Sequence, residues 1–266
     1  MTGIGGLTGI SGLTAILCLG AAASLPAQPV ETRLLVRAVS ADAKIIGTNV
    51  GGARITVRDV ANGTVLSQGT QLGSTGSTER IMRAPRQRGA RVFDTEGAAG
   101  FVATLEIDEP TLVEVTAEGP LGTPQATQRS STTLWLVPGE DVLGEGLVLV
   151  LHGFAIRLES PSVERSFVAG ESIALRVHAE MLCGCPLTPG GLWDSDRIAI
   201  VARLLDERGP RAETELSYAG EPSTFAGTIV APAPGEYRLE ILAIDADRAN
   251  FGRTEQDLRV AGGPSP

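Results

Sequence analysis

Charged residues are missing from the first 27 positions of this 266-residue chain, and aromatic residues are scarce throughout, at 4%. Apolar residues at the spacing of a long amphipathic helix are missing as well. They occur instead in short runs separated by turn-forming residues, and the chain has 33 glycines and 16 prolines. This pattern excludes a helical bundle or a coiled coil and predicts an all-β protein.

A surplus of basic charge is also missing. The formal net charge is -9, and Lys44 is the only lysine. Because the first 27 residues carry no charge, a mature form without them would keep this whole negative charge. Phosphate binding requires a basic surface, so the composition argues against a nucleic-acid partner.

Recognisable catalytic motifs are the third absence. The sequence has no Gly-x-Ser-x-Gly nucleophile elbow, no His-Glu-x-x-His zinc motif and no phosphate-binding loop. No serine or cysteine nucleophile motif surrounds His152, one of the two histidines. We therefore expect the protein not to be an enzyme and to need no cofactor.

Residues 1–27 have the features of a signal peptide. Leu13–Ala23 is an apolar run, Ala23 and Ala27 offer small residues for cleavage, and the chain becomes polar at Gln28. The segment departs from the usual pattern because no lysine or arginine precedes its apolar core. An uncleaved membrane segment is the alternative, although its glycines and Pro26 make it a poor span. The segment predicts export to the periplasm or the extracellular space.

The remainder divides into two β-sandwich domains in tandem, at 30–151 and 154–260, with a flexible tail at 261–266. In the first domain, Asn62 and Gly63 separate two β-rich runs and predict a hairpin, because a type I′ turn needs a positive φ at both positions. The alternation of apolar residues predicts seven strands there: Thr32–Ser40, Ala53–Asp59, Thr64–Gln68, Gly100–Ile107, Thr111–Ala117, Thr132–Val137 and Gly146–Leu151.

The run from Gly52 through the Asn62-Gly63 turn to Gly69, with the later pair Thr104–Asp108 and Thr111–Gly119, resembles the carboxypeptidase regulatory-like, transthyretin-like sandwich. The resemblance covers residues 30–151 loosely and rests on turn chemistry. It implies an accessory or structural domain, and it carries no catalytic residues onto this chain.

A long loop at 70–99 interrupts this domain and has no clear periodicity. A loop of this length is either functional or disordered. One interpretation is an anion-binding or polysaccharide-binding loop, because guanidinium groups match carboxylates and sulfates. The other, which we favour, is a mobile, solvated insertion. The loop contains the arginines Arg80, Arg83, Arg86, Arg88 and Arg91.

The second domain also alternates as a set of seven short strands, which fits an immunoglobulin-like sandwich. The runs Phe225–Ile229, Pro234–Leu239 and Ala243–Asp245 resemble the end of bacterial Ig-like modules, in which Tyr237 would be a corner or core tyrosine. Asp245–Asn250 predicts the turn between the last two strands. The expected strands are Ala155–Glu159, Ser172–Met181, Arg197–Leu205, Glu213–Tyr218, Thr224–Val230, Gly235–Ile244 and Arg253–Val260.

The segment around Cys183 and Cys185 is the best candidate for chemistry. With His178 and Met181, these cysteines place four soft or borderline ligands within eight residues, a set that suits copper(I) or zinc. Strand alternation, however, puts His178 on the face opposite Met181. Exported thiols also tend to oxidise, so we expect a Cys183–Cys185 disulfide ahead of a metal site, with inert or redox-active thiols as a third possibility.

The loop that follows contains Trp193, Asp194 and Asp196. The common role of such a tryptophan is to cap the sandwich core. An exposed Trp193 flanked by the two aspartates would instead indicate a ligand or sugar platform.

These observations favour an exported, non-enzymatic binding or structural module of the cell envelope or periplasm. Its partner would be an unknown protein or polysaccharide, with no membrane contact beyond the N-terminal segment. The alternative is a periplasmic copper-handling or zinc-handling protein that uses the Cys183–Cys185 segment.

Overall fold

A computed structural model describes residues 1–3, 5–6, 28–162 and 165–262, and these residues confirm the all-β prediction. Most of the predicted signal segment, at residue 4 and 7–27, and the end of the tail, at 263–266, lie outside the described residues. Within the described ranges, no helix is long and apolar enough to cross a membrane. The strands of the first domain are β1 Val30–Ser40, β2 Ala53–Asp59, β3 Val65–Gln71, β4 Phe101–Ile107, β5 Thr111–Gly119, β6 Gln128–Leu136 and β7 Val142–Leu151.

The seven strands form two facing sheets. One has the order β4-β1-β7, and the other has the order β3-β2-β5-β6. The β1–β7 pair is parallel and the other pairs are antiparallel. The hairpin at Asn62-Gly63 is confirmed, since β2 and β3 pair across it. The expected type I′ turn is wrong, because Gly63 has a positive φ, of 76°, but Asn62 does not.

The first core lies between these sheets, because side chains alternate between the two faces of a strand. In β2, Ile55 and Val57 are buried while Arg54 and Arg58 are exposed. The buried side chains come from both sheets and include Leu34, Val36, Ile55, Val57, Leu105, Val113, Val115, Leu136 and Leu149.

The segment between β3 and β4 differs from the mobile insertion that we expected. It contains a short helical turn, Glu79–Arg83, and buries Ile81 and Phe93 in a small core with Val39 and Ile45. The Glu145 carboxylate accepts the backbone amides of residues 92–94 at 2.9–3.1 Å. These contacts order the segment, so the expectation of a mobile loop is wrong.

The second domain is a sandwich formed by a continuous strand ladder. The order is β8-β10-β13-β12-β11-β14-β15-β9, and its inner side chains form a single core cluster. The sequence did not predict β9, which is only three residues long and pairs in parallel with β15. The strands are β8 Phe154–Ser160, β9 Ser166–Val168, β10 Ser172–Met181, β11 Ala199–Asp206, β12 Gly209–Tyr218, β13 Thr224–Val230, β14 Gly235–Asp245 and β15 Asn250–Ala261.

Two smaller predictions for this domain are confirmed. The hydroxyl group of Tyr237, which is 8% exposed, donates to the carbonyl oxygen of Ala233 at 2.7 Å. This contact resembles a tyrosine corner, in which the hydroxyl group returns to the backbone a few residues upstream. A short helical turn, Ala246–Arg248, connects β14 to β15 at the predicted position.

Candidate functional site at the domain junction

The cysteine segment forms a tight turn at the end of β10. Cys183 and Cys185 are joined by a disulfide, and both are buried. The amide of Met181 donates to the Cys185 carbonyl oxygen at 3.1 Å, and the Gly184 amide donates to the Met181 carbonyl oxygen at 2.8 Å. Gly184 has a φ of 73°, which favours glycine at this position.

This turn, which we call the cysteine turn (182–185), contacts the first domain. The side-chain amide of Asn49 donates to the Cys183 carbonyl oxygen at 3.0 Å. A Cβ atom on Gly184 would lie only 2.7 Å from Asn49 Nδ2 and 2.9 Å from Val50 Cγ1. Leu182 is fully buried within the core cluster of the first domain. The cysteine turn is therefore a part of the interface between the domains.

The four hypothetical metal ligands do not share one face. Met181 is buried on the inner face of β10, whereas His178 points to the other face, where its Nε2 lies 3.4 Å from Glu180 Oε2. Among the described residues, no group of three or more His, Cys, Asp or Glu side chains could hold a metal ion. The structure thus separates His178 from the other three residues.

The loop after the cysteine turn is organised by Asp194. Its carboxylate accepts the backbone amides of Gly190 at 2.8 Å and Asp196 at 3.1 Å. These two hydrogen bonds, that from Gly190 first, hold the pKa of Asp194 below its usual value. The side chain of Asp196 is exposed, and it does not line the cavity to which Trp193 and Asp194 contribute.

Trp193 is partly buried against the core of the second domain, which is the capping role expected for it. Its indole Nε1 donates to the carbonyl oxygen of Asp42 in the first domain, at 3.0 Å. Trp193 is therefore a contact between the domains rather than an open platform. It lines a small cavity of about 150 Å³ together with Asp42, Asp194, Arg197, Asp245 and Arg248.

Three charged groups of this junction cavity, Asp42, Asp245 and Arg248, are paired with each other. Arg248 Nε lies 2.6 Å from Asp42 Oδ2, and Arg248 Nη1 lies 3.2 Å from Asp245 Oδ2. Asp42 and Ala249 both adopt a left-handed backbone, with φ values of 51° and 52°. Such conformations cost about 1–3 kcal/mol in a non-glycine residue, and they persist where the surroundings hold them.

Asn250 is the most buried polar contact of the junction, with no exposed surface. Its Oδ1 accepts the Gly153 amide at 2.9 Å, and its Nδ2 donates to the Ala41 carbonyl oxygen at 3.2 Å. His152 lies beside it, with Nδ1 3.2 Å from the carbonyl oxygen of Ala249. One side chain thus joins the end of β1, the β7–β8 connection and the start of β15.

Sequence reasoning missed Asn49, Asp42 and Asn250 as junction residues. Asp42 and Asn49 lie in short turns and Asn250 begins β15, and the partner of each is at least 97 positions away in the chain. Local patterns therefore contain no signal for these contacts. The arrangement can fix one domain against the other, and its ionisable groups are already engaged.

No protein-family model matches the chain, and neither does any curated protein. Three solved structures can be compared. The fibronectin(III)-like modules of Clostridium thermocellum CbhA are 10% identical, with a TM-score of 0.29, over 85% of this chain and 90% of theirs. Domains 1–6 of the surface layer protein SbsC are 11% identical, with a TM-score of 0.31, over 88% of this chain and 28% of theirs.

The third, Drosophila N-cadherin EC1-3, is 10% identical, with a TM-score of 0.27, over 88% of this chain and 68% of that one. The chain thus spans less than a third of the surface-layer structure. Likenesses of this strength carry no argument about the function of this chain. The sandwich class of both domains rests on the strand pairing described above.

Proposed function

We propose that the protein is an exported, non-enzymatic structural and binding module of the cell envelope or periplasm, whose two sandwiches act as one rigid unit. In this proposal the first domain is carboxypeptidase regulatory-like and the second is Ig-like. The observation that carries the proposal is the exchange of core residues between the domains.

The exchange runs in both directions. Ala43 of the first domain belongs to the core cluster of the second, while Ala155 and Leu182 of the second belong to the core cluster of the first. Tandem domains usually move relative to one another unless their interface is large and apolar. Because each core here is completed by the other domain, a fixed geometry is the expected state. A rigid spacer or presenting module requires such a geometry.

The cysteine turn and the N-terminal segment support export. Disulfides persist in oxidising compartments and are rare in the cytosol. The uncharged residues 1–27 match a signal segment followed by a polar mature start. The paired charges of the junction cavity support a structural role, since Arg248 is bound to both Asp42 and Asp245.

Rigidity can be tested with residual dipolar couplings of the mature protein. We expect one alignment tensor to fit both domains, because the junction contacts couple them. The double variant Asn49→Ala/Asn250→Ala removes two junction contacts and should give two different tensors. Glu207→Ala is the control, since Glu207 is exposed in the β11–β12 turn.

Two results would overturn the proposal. Separate tensors for the two domains of the wild type would show that the domains do not form a rigid unit. The export proposal would be wrong if expression in a Gram-negative host left full-length protein in the cytosol, with an intact N-terminus and reduced cysteines.

A further inference from the structure

The outer face of the sheet β3-β2-β5-β6 is a regular surface whose side chains the junction does not use. The strand register arranges these side chains in rows across β2, β5 and β6. The row farthest from the second domain is apolar and consists of Val60, Leu112 and Trp135. Leu112 pairs with Trp135, and the amide of Val60 donates to the Leu112 carbonyl oxygen at 3.0 Å.

Trp135 is the notable member of this row. Its side chain is 64% exposed, and Val60 beside it is 46% exposed. Trp135 projects outward because it alternates with Leu134 and Leu136, which point toward the core. Trp135, Val60 and Leu112 together form a contiguous apolar row at the surface, and contiguous exposed apolar surface indicates an interaction site, whereas apolar residues scattered singly do not.

The other three rows of the outer face are polar. Gln68 on β3 extends the middle row, since its Nε2 donates to Thr56 Oγ1 at 3.0 Å. The rows enclose a shallow hollow of about 270 Å³. They are Arg58, Glu114 and Thr133; Thr56, Thr116 and Ser131; and Arg54, Glu118 and Arg129.

The charges of the outer face nearly cancel. Arg54 Nη1 lies 3.7 Å from Glu118 Oε2, and the strand register places Arg129 on the other side of Glu118. Arg58 lies across from Glu114 in the same way. With three arginines and two glutamates, the face has a formal charge of only +1, on a chain whose net charge is -9. This balance does not select an ionic ligand.

We propose that the outer face binds a neutral polysaccharide chain. A sugar ring has an apolar C–H face and a polar rim of hydroxyl groups. The C–H face matches the indole ring of Trp135. The hydroxyl groups match Thr133 and Ser131, which both donate and accept, and the carboxylate of Glu114, which accepts. From Trp135 to Arg129, β6 extends about 20 Å, which is long enough for several sugar units.

The composition of the face argues against a protein partner. The centre of a protein interface is apolar, closely packed and depleted of charge. Here the apolar row lies at one end and the centre is a grid of hydroxyl, guanidinium and carboxylate groups. The proposal rests on the proposed function, because it names the ligand class of the binding module.

The test is co-sedimentation of the mature protein with insoluble cellulose, chitin and starch, and affinity electrophoresis in alginate as the acidic arm. We expect retention by at least one neutral polysaccharide. Trp135→Ala should weaken that binding at least tenfold, and Trp135→Tyr should keep most of it. Phe251→Ala is the matched control, because Phe251 is a 53% exposed aromatic residue on the second domain.

Several outcomes would overturn the inference. These are no retention by any neutral polysaccharide, equal retention of wild type and Trp135→Ala, or binding to alginate alone. Self-association that depends on concentration and is lost in Trp135→Ala would assign the face to a second copy. The dipolar couplings separate this failure from that of the proposed function, because they do not depend on a ligand.

Discussion

Two irregular segments interrupt the strands of this protein. The backbone groups of each need hydrogen-bond partners, and the two segments differ in which domains supply them. The segment at 72–100 directs its contacts to its own domain, through Glu145 and Arg37. The segment at 182–198 is bonded to its own domain through Ser223, but it also contacts the other domain, through Asn49 and Asp42. Both satisfy backbone groups that would otherwise lack partners. The difference between a domain insertion and a domain junction therefore lies in where these partners are found.

Arg37 illustrates the first solution. It is 5% exposed, and its guanidinium donates to the carbonyl oxygens of Ala98 at 3.2 Å and Ala99 at 2.6 Å. Burial lowers the pKa of Arg37, and the nearby carboxylates of Asp94 and Glu145 partly offset this effect. It stays charged at any ordinary pH, so these donors are permanent.

Two arginines of the segment itself behave in the same way. Arg80 donates to the carbonyl oxygens of Asp94 and Arg91, and Arg86 donates to that of Ile81. An anion-binding loop would need these guanidinium groups free. Arg80 and Arg86 instead serve the segment that carries them, whereas the other three arginines of the segment are exposed.

Glu145→Ala should destabilise the segment at 72–100 more than any other single change. It leaves the amides of residues 92–94 without their acceptor, so we expect a loss of about 3 kcal/mol in the free energy of unfolding. Urea unfolding measures this loss, and limited trypsin digestion should now cut first at the segment's arginines. Glu145→Gln keeps an acceptor and should lose about half as much.

Glu140→Ala is the control for this prediction, since Glu140 is exposed on the preceding turn. It should change stability by no more than about 0.5 kcal/mol. A Glu145→Ala protein that resists trypsin and unfolds like this control would contradict the role assigned to the carboxylate.

The second change, Cys183→Ala/Cys185→Ala, tests the junction segment. A disulfide that closes so short a ring constrains the unfolded chain little, so we expect a loss of about 2 kcal/mol. The side-chain amide signals of Asn49 should shift in the ¹H–¹⁵N spectrum, because Asn49 donates to Cys183 from the other domain. Wild-type protein treated with a reductant should show the same shift. Unchanged Asn49 signals in both samples would show that the turn does not depend on the disulfide.

The smallest effect concerns pH. The pKa of Asp194 is lowered in the folded state, so its stabilisation is fully present above its ordinary value of 3.8 and is lost as the pH falls through the lower, folded-state pKa. Asp194→Asn should therefore lose less of its melting temperature than the wild type on acidification below about pH 4. Asp196→Asn removes the same charge without these hydrogen bonds. If both variants lose melting temperature in parallel with the wild type, the prediction fails.

The sequence predicted the strands well where one face is buried and the other solvated. Ala53–Asp59, Ser172–Met181 and Thr224–Val230 have their predicted bounds. In the first two, strict alternation specifies both the strand and its inner face. β9 was not predicted, because three residues are too few to show an alternation of apolar and polar side chains.

The order of the arginine-rich segment and the junction could not be predicted, since both depend on distant partners. Glu145 follows the amides it accepts by more than fifty positions, and Asp42 precedes Trp193 by 151. The outward orientation of Trp135 could not be predicted for another reason. It stands between Leu134 and Leu136, and three consecutive apolar residues do not reveal which of them faces outward.

The parallel β1–β7 pair has a mechanical consequence. Both strands run toward the junction, so Val30 and Leu151 lie at opposite ends of the pair. Tension applied between these two residues acts along the strands and across their hydrogen bonds. The hydrogen bonds are then loaded together in shear and do not break one after another. The β1–β7 pair is therefore expected to resist tension in this direction.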